Sequence, residues 1–193
     1  EIFGASHGNV TMRELISAQM DGVYFPIRIK EFAARTYFHD LKEEEIKIDN
    51  VVLKTMLLSH PGTCLGYRME YKKRSICYIT DNELFPEDTK EYNSNYWGKL
   101  TAFVKGCDIL ITDTTYTDEE YKQKKGWGHS SVSQVVKLAH EAEVQELHLI
   151  HHDPDQTDED IDIKLGAAKR LLVELKSNTK CFAPQERQSF KIT

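Results

Sequence analysis

The 193-residue sequence predicts an α/β (α+β) fold with a β-rich first half and a second half that alternates strand and helix. Three observations carry this expectation. Between residues 36 and 80, apolar runs of strand length follow one another and are separated by polar turns. From Cys107 onward, apolar runs alternate with helical periodicity, the rhythm of strands covered by helices. Ile161, Leu165, Ala168, Leu172 and Leu175 recur at spacings of four, three, four and three, which marks an amphipathic helix of about four turns. No repeat, low-complexity tract or linker interrupts the chain, so residues 1–193 read as one domain.

Taken in order, residues 6–20 predict a helix with Val10, Leu15, Ile16 and Met20 on a buried face and Ser6, Asn9 or Thr11 as N-cap. Asp21-Gly22 ends it. Val23-Tyr24-Phe25-Pro26-Ile27 is an aromatic connector, either surface packing or a pocket wall, with packing the better explanation. Strands are expected over residues 36–41, 45–48, 51–58, 65–71 and 75–80, with Lys72, Lys73 and Arg74 forming a solvated hairpin tip. Residues 84–95 contain Pro86 and many charges and read as a loop leading into a helix over residues 96–104. A strand over residues 107–112 is followed by a turn at Asp118-Glu119-Glu120. Ser131 then opens a helix with Val132, Val135, Val136 and Ala139 on one face. Residues 147–150 form a strand, the helix of the apolar stripe follows, and residues 180–183 and 189–192 are expected as closing strands.

Chemistry gathers where the strands end. Leu147-His148-Leu149-Ile150 runs into His151-His152-Asp153-Pro154, and Pro154 terminates the strand because proline cannot donate to a ladder. Residues 51–58 run into Ser59-His60-Pro61-Gly62, residues 75–79 into Thr80-Asp81-Asn82, and residues 107–112 into Asp113-Thr114-Thr115. Gly128-His129-Ser130-Ser131 places a further histidine just before a helix, where it either caps that helix or faces the site. In layered α/β folds such ends open into the ligand crevice, and His and Asp are the side chains a metal or a proton-transfer step uses there.

Composition excludes other classes. With 25 Lys and Arg against 31 Asp and Glu the net charge is -6, which disfavours sequence-blind binding to a nucleic-acid backbone or an anionic membrane. No run approaches the roughly 18 apolar residues of a membrane span. Cys64, Cys77, Cys107 and Cys181 show no C-x-x-C spacing and read as reduced, small hydrophobes, which suits a cytoplasmic protein.

The ordered set Ser-His-Pro-Gly-Thr (59–63), Tyr-Ile-Thr-Asp (78–81), Asp-Ile-Leu-Ile-Thr-Asp-Thr-Thr-Tyr (108–116), Gly-His-Ser-Ser (128–131) and Leu-Ile-His-His-Asp-Pro (149–154) resembles the metallo-β-lactamase-fold hydrolases. The nearest likeness is to their phosphodiesterase and ribonuclease Z-like branch, over residues 3–192. The resemblance implies an αββα sandwich with two divalent metal ions, zinc, manganese or iron, between its sheets. It implies His60 and His151 as ligands of one metal each, Asp81 as the carboxylate bridging both, and His152 and Asp153 as neighbours behind or beside them. It also implies Asp113 and His129 as a catalytic pair, matching a His-Glu-Ala-Thr and a His-Ser-Thr motif, with the carboxylate one methylene shorter here. Asp113 would fix the tautomer of His129, and His129 would bind the scissile phosphate or protonate the leaving oxygen.

The family's His-x-His-x-Asp-His signature is absent from this sequence and is expected upstream of Glu1, so the sandwich reads as incomplete at its N-terminus. An N-terminally truncated chain, a separately numbered piece or a metal-poor homologue would each account for that, and the three remaining ligands would hold a weak site. The resemblance implies a metal-dependent hydrolase that cleaves a small, cyclic-nucleotide-like phosphodiester. Alternatives are a non-catalytic sensor domain that has lost its metals, a ribonuclease Z-like nuclease, and a thioester or lactam hydrolase. The expected partners are that small substrate and either a second copy of the chain or a fused N-terminal segment. A membrane or an extended nucleic acid is not expected, since the interval between His60 and Asp81 leaves no room for the long basic arm of ribonuclease Z-type enzymes.

Overall fold

A computed structural model describes residues 1–192. Its centre is a seven-stranded sheet in sequential order: β3 (Glu45–Ile48), β4 (Val51–Leu57), β5 (Leu65–Tyr71), β6 (Arg74–Ile79), β7 (Ile109–Asp113), β8 (Glu146–Ile150) and β9 (Lys180–Phe182). The strands from β3 to β6 pair antiparallel and those from β6 to β9 pair parallel. That division is the change of rhythm in the sequence. Two-residue turns join β3 to β4 and β5 to β6 and a seven-residue loop joins β4 to β5, whereas parallel neighbours need longer crossovers, which here contain α2 (Ser94–Val104), α3 (Asp118–Lys124), α4 (Val132–Glu141) and α5 (Asp158–Glu174). A separate parallel pair, β1 (Ile2–Ala5) with β2 (Phe38–Leu41), carries α1 (Met12–Gln19).

One face of the large sheet is covered. Cys77, Leu110, Leu147 and Cys181 stand in register across β6 to β9, and Ile79, Thr112 and Leu149 form the next row. These rows pack with Leu100 and Val104 of α2, Val135, Val136 and Ala139 of α4, and Ala168 and Leu172 of α5. Each large aliphatic side chain taken fully out of water here contributes about 1.5–3 kcal/mol. The opposite face keeps Ile48, Leu57, Met69 and Tyr78 part-exposed. At the β5–β6 hairpin, Lys72 and Lys73 both have positive φ (46° and 65°), the primed two-residue turn that matches strand twist.

Several expectations need correction. Asp118-Glu119-Glu120 is the first turn of α3, not a loop: the Thr117 hydroxyl accepts from the Glu120 amide, and Glu120 accepts from the Thr117 amide at 2.7 Å. This capping box satisfies two orphan donors, and Thr-x-x-Glu was its signal in the sequence. The first helix starts at Met12 rather than residue 6, because Thr11 and Glu14 form the same box while His7 and Val10 pair in a turn. Among the described residues it buries no side chain fully.

The connector at residues 23–27 does not pack. Val23 and Tyr24 are more than 80% exposed, since the turn closes on the Asp21 carbonyl and carboxylate and no layer lies over it among the described residues. Residues 189–192 form no strand. Phe190 instead lays its ring 4.4 Å from that of His148, covering the outer face of β8. All four cysteines are free thiols, three of them buried. Among the described residues no helix is long and apolar enough to cross a membrane.

Candidate metal centre

Parallel register assembles the site. Ile79 pairs with Thr112 and Thr112 with Leu149, so the exits of β6, β7 and β8 lie side by side, and Asp113 is opposite Ile150. Asp81 follows β6 by two residues and His151 follows β8 by one. Both adopt left-handed backbone conformations, with φ of 48° and 58°. Non-glycine residues pay a steric cost there, and such conformations concentrate at functional sites. His151 Nε2 lies 3.1 Å from Asp81 Oδ1. Ligand distances of about 2.0–2.1 Å put two donors of one ion roughly 3 Å apart, which is the spacing this pair shows.

Asp113 is fully buried and every oxygen is engaged. Oδ1 accepts from the Thr115 amide at 3.0 Å and lies 2.8 Å from the Thr115 hydroxyl, while Oδ2 accepts from the Asn82 amide at 3.1 Å. Oδ2 also lies 2.7 Å from His129 Nδ1. The Thr115 hydroxyl reaches the His151 carbonyl at 2.7 Å and His151 Nδ1 at 3.1 Å, tying β7's exit to β8's. The hydrogen bond to Asp113 raises the pKa of His129, reinforced by the charges of Asp113, Asp81 and Glu83 and opposed by burial.

The loop that presents His129 is held from below. Buried Glu83 accepts from the Tyr121 hydroxyl and the Gly126 amide at 2.7 Å and from the Gly128 amide at 2.8 Å. Gly128 has φ of 92°, and a Cβ there would come within 2.5 Å of His60 Cδ2, so only glycine fits. Ser130 continues the anchoring by accepting from the Leu84 amide and donating to the Asn82 carbonyl. Ser131, not His129, is the N-cap of α4.

Asp81, Asp113, His129 and His151 bring one donor atom each within 4.8 Å of one another. Two carboxylates and two imidazoles are a fitting donor set for one divalent ion of the zinc, manganese or iron type. His60 stands beside this group, its ring 5.8 Å from that of His129. Its Nδ1 accepts from the Gly62 amide at 3.1 Å, with the Gly62 carbonyl 3.4 Å away. His152 lies half-buried next to the group, pushed down to about 4 by burial and by the charges of Lys164 and His151. Asp153 accepts from the Asp155 amide at 3.0 Å and thereby shapes the turn after β8.

Two supporting residues escaped the sequence reading. Lys164 is 1% exposed, and its ammonium donates to the Thr114 carbonyl at 2.7 Å, the Thr115 carbonyl at 3.1 Å and Gln156 Oε1 at 2.7 Å. Burial pushes its pKa down to about 8. Its position three residues after Ile161 and four before Ala168 places it on the inward stripe of α5, a signal available beforehand. Glu83 gave less warning, since only its place ahead of Leu84 and Phe85 set it apart.

The domain family described as the beta-lactamase superfamily domain matches residues 10–152. The chain belongs to this family. The matched span of the β-lactamase superfamily domain contains His60, Asp81, Asp113, His129, His151 and His152, whereas Asp153 and Lys164 lie beyond it. The chain is 25% identical over 194 aligned positions to ribonuclease Z of Thermoplasma acidophilum, covering 81% of this chain and 60% of that protein. A shorter match, 43% identical over 68 residues, is to ribonuclease Z of Saccharolobus solfataricus, covering 35% of this chain and 22% of that protein. The chain therefore spans at most about 60% of the length of these relatives. Among solved structures, the fold resembles a diphosphatase of the PhnP family (TM-score 0.59, 17% identity, 98% of this chain and 58% of that one). It also resembles unliganded yeast PDE1 (TM-score 0.64, 11% identity, 90% of this chain and 56% of that one). The fold class expected from the sequence, a metallo-β-lactamase-type α/β architecture, is thereby established.

Proposed function

We propose that this chain forms the larger part of the hydrolytic domain of a metal-dependent phosphodiesterase acting on a small phosphodiester. The observation that carries the reading is the buried Asp113 carboxylate 2.7 Å from His129 Nδ1, with the His129 ring 4.8 Å from that of His151. A carboxylate-oriented imidazole beside a metal-competent group is equipped to bind a phosphoryl oxygen and protonate a leaving alkoxide. The relatives named ribonuclease Z support a phosphodiester as the bond class. The two-residue turn between β5 and β6 supports a small substrate, since no arm extends there.

Asp81 and His151 would hold an ion, with Asp113 and His60 next to them; a second ion needs donors in addition to these. When bound, the metal supplies Lewis acidity and an acidified water. Asp113 accepts Nδ1–H of His129, so Nε2 is the atom that presents a proton to the substrate. Thr115 keeps the His151 ring at its angle through Nδ1. The net charge of -6 disfavours sequence-blind binding of a polyanionic strand and supports a small phosphodiester as the ligand.

The test is hydrolysis of bis(p-nitrophenyl) phosphate by the purified protein supplied with manganese or zinc. Turnover that falls in His129→Ala is the expected result. Hydrolysis of a thioester or lactam with phosphodiesters untouched overturns the proposal.

A further inference from the structure

Beside His129 lies a second group of side chains that the hydrolytic reading does not use. Trp127 is 58% exposed, whereas the only other tryptophan, Trp97, is buried and bonded through Nε1 to Glu141. An exposed indole on a mobile loop would mean little, but this one is fixed. It sits between Gly126 and Gly128, whose amides both donate to the buried Glu83 carboxylate, and Trp127 N donates to the Lys124 carbonyl at 3.2 Å.

Lys124 adds a charge to the same place. Its ammonium lies 4.4 Å from the centre of the Trp127 ring and 5.9 Å from that of Tyr116. The Tyr116 ring in turn meets His129 edge-on at 6.1 Å. Its neighbours Lys122 and Lys125 are paired with Glu119 and Glu91, but among the described residues no carboxylate lies within salt-bridge distance of Lys124. Trp127, Lys124, Tyr116 and His129 thus form a continuous file from an open aromatic surface to the proposed catalytic imidazole. In a chain of net charge -6, an unpaired ammonium on that file is a local attraction for an anion.

We propose that Trp127 and Lys124 form a nucleoside-phosphate subsite: a nucleobase stacks on the indole, and Lys124 draws the attached phosphate toward His129. A flat aromatic ring held rigid beside a cation is the arrangement that binds bases without reading their identity. The inference rests on the phosphodiesterase reading for the fate of the ligand and narrows its substrate class to esters that carry a nucleoside. Binding itself does not require turnover.

Binding is read first. Adenosine 5′-monophosphate added to the manganese-loaded protein quenches tryptophan fluorescence, because the accessible one of its two indoles is the stacking surface. Calorimetry then shows Trp127→Ala weakening this nucleotide about five- to hundredfold, the range of one base–aromatic stack, while Trp127→Tyr retains the affinity without the fluorescence change. Lys124→Met narrows the preference for the nucleotide over adenosine.

Catalysis is read second, with thymidine 5′-p-nitrophenyl phosphate and methyl p-nitrophenyl phosphate, which share a leaving group and differ in the nucleoside. In Trp127→Ala the ratio of kcat/KM for the two falls at least fivefold, by the same stacking argument. Trp127-dependent nucleotide binding with neither ester cleaved would remove the phosphodiesterase reading and leave the subsite. Both esters cleaved, with ratio and nucleotide affinity within twofold of the parent in Trp127→Ala, would overturn the subsite and leave the phosphodiesterase.

Discussion

Asp113 Oδ2 lies 2.7 Å from His129 Nδ1, although the two residues reach that point from different elements, one at the end of β7 and the other in the glycine-bracketed loop before α4. The carboxylate is fully buried and the imidazole part-exposed, so the acid that tunes the pair is shielded while the group that titrates faces solvent.

A pH profile reads this pair directly. Asp113 raises the pKa of His129, so the protonated imidazole persists to higher pH than an ordinary histidine. Asp113→Asn removes the charge, and the descending limb of the kcat profile moves to lower pH. The rate at the optimum falls within the roughly 10²- to 10⁴-fold range of general acid catalysis. A descending limb that stays in place would assign it to another group.

Metal content tests the proposed division between metal ligands and proton donor. Asp81→Ala is expected to lose bound manganese or zinc, measured by elemental analysis after purification without chelators. His129→Ala is expected to keep it. Loss of metal in His129→Ala would make that residue a ligand, which its membership of the four-residue donor group allows geometrically.

Glu83→Gln tests how the loop is held. The buried carboxylate accepts from three donors, and an amide would turn one acceptor into an NH₂ facing an N–H or O–H. Leaving a buried donor unsatisfied costs about 1–3 kcal/mol. In a chain of this size each kcal/mol lowers Tm by about 2–4 °C, which a thermal melt resolves. An unchanged melt with an unchanged rate would mean that the loop is held by Ser130 instead.

Lys164 gives stability a pH dependence of known sign. Its pKa falls from 10.5 to about 8 on folding, so between those values the unfolded chain holds the extra proton and stability rises with pH. Urea unfolding of wild type and Lys164→Met across that window is expected to show the rise in the difference between the two. A difference that is flat, or that falls, would mean that the two carbonyls and Gln156 stabilise the charged form enough to offset its burial.

The sequence by itself determined the parts that depend on neighbours along the chain. Alternation and turn residues specified the meander from β3 to β6, the four-three spacing specified α5, and the strand exits named His60, Asp81, Asp113 and His151 as chemistry-bearing positions. Where a local signal was misread, as with the Thr117 capping box, or left open among alternatives, as with the Thr11 cap, the information was still present. Tertiary structure alone decided which exits meet. Parallel register between β6, β7 and β8 brought Asp81, Asp113 and His151 into one row, and the Glu83 anchor brought His129 to them while His60 stayed at the side. Burial of Lys164 and exposure of Tyr24 and Trp127 were likewise decided by what lies over each side chain. Such contacts join residues dozens of positions apart, and a local pattern carries no record of the register that makes them neighbours.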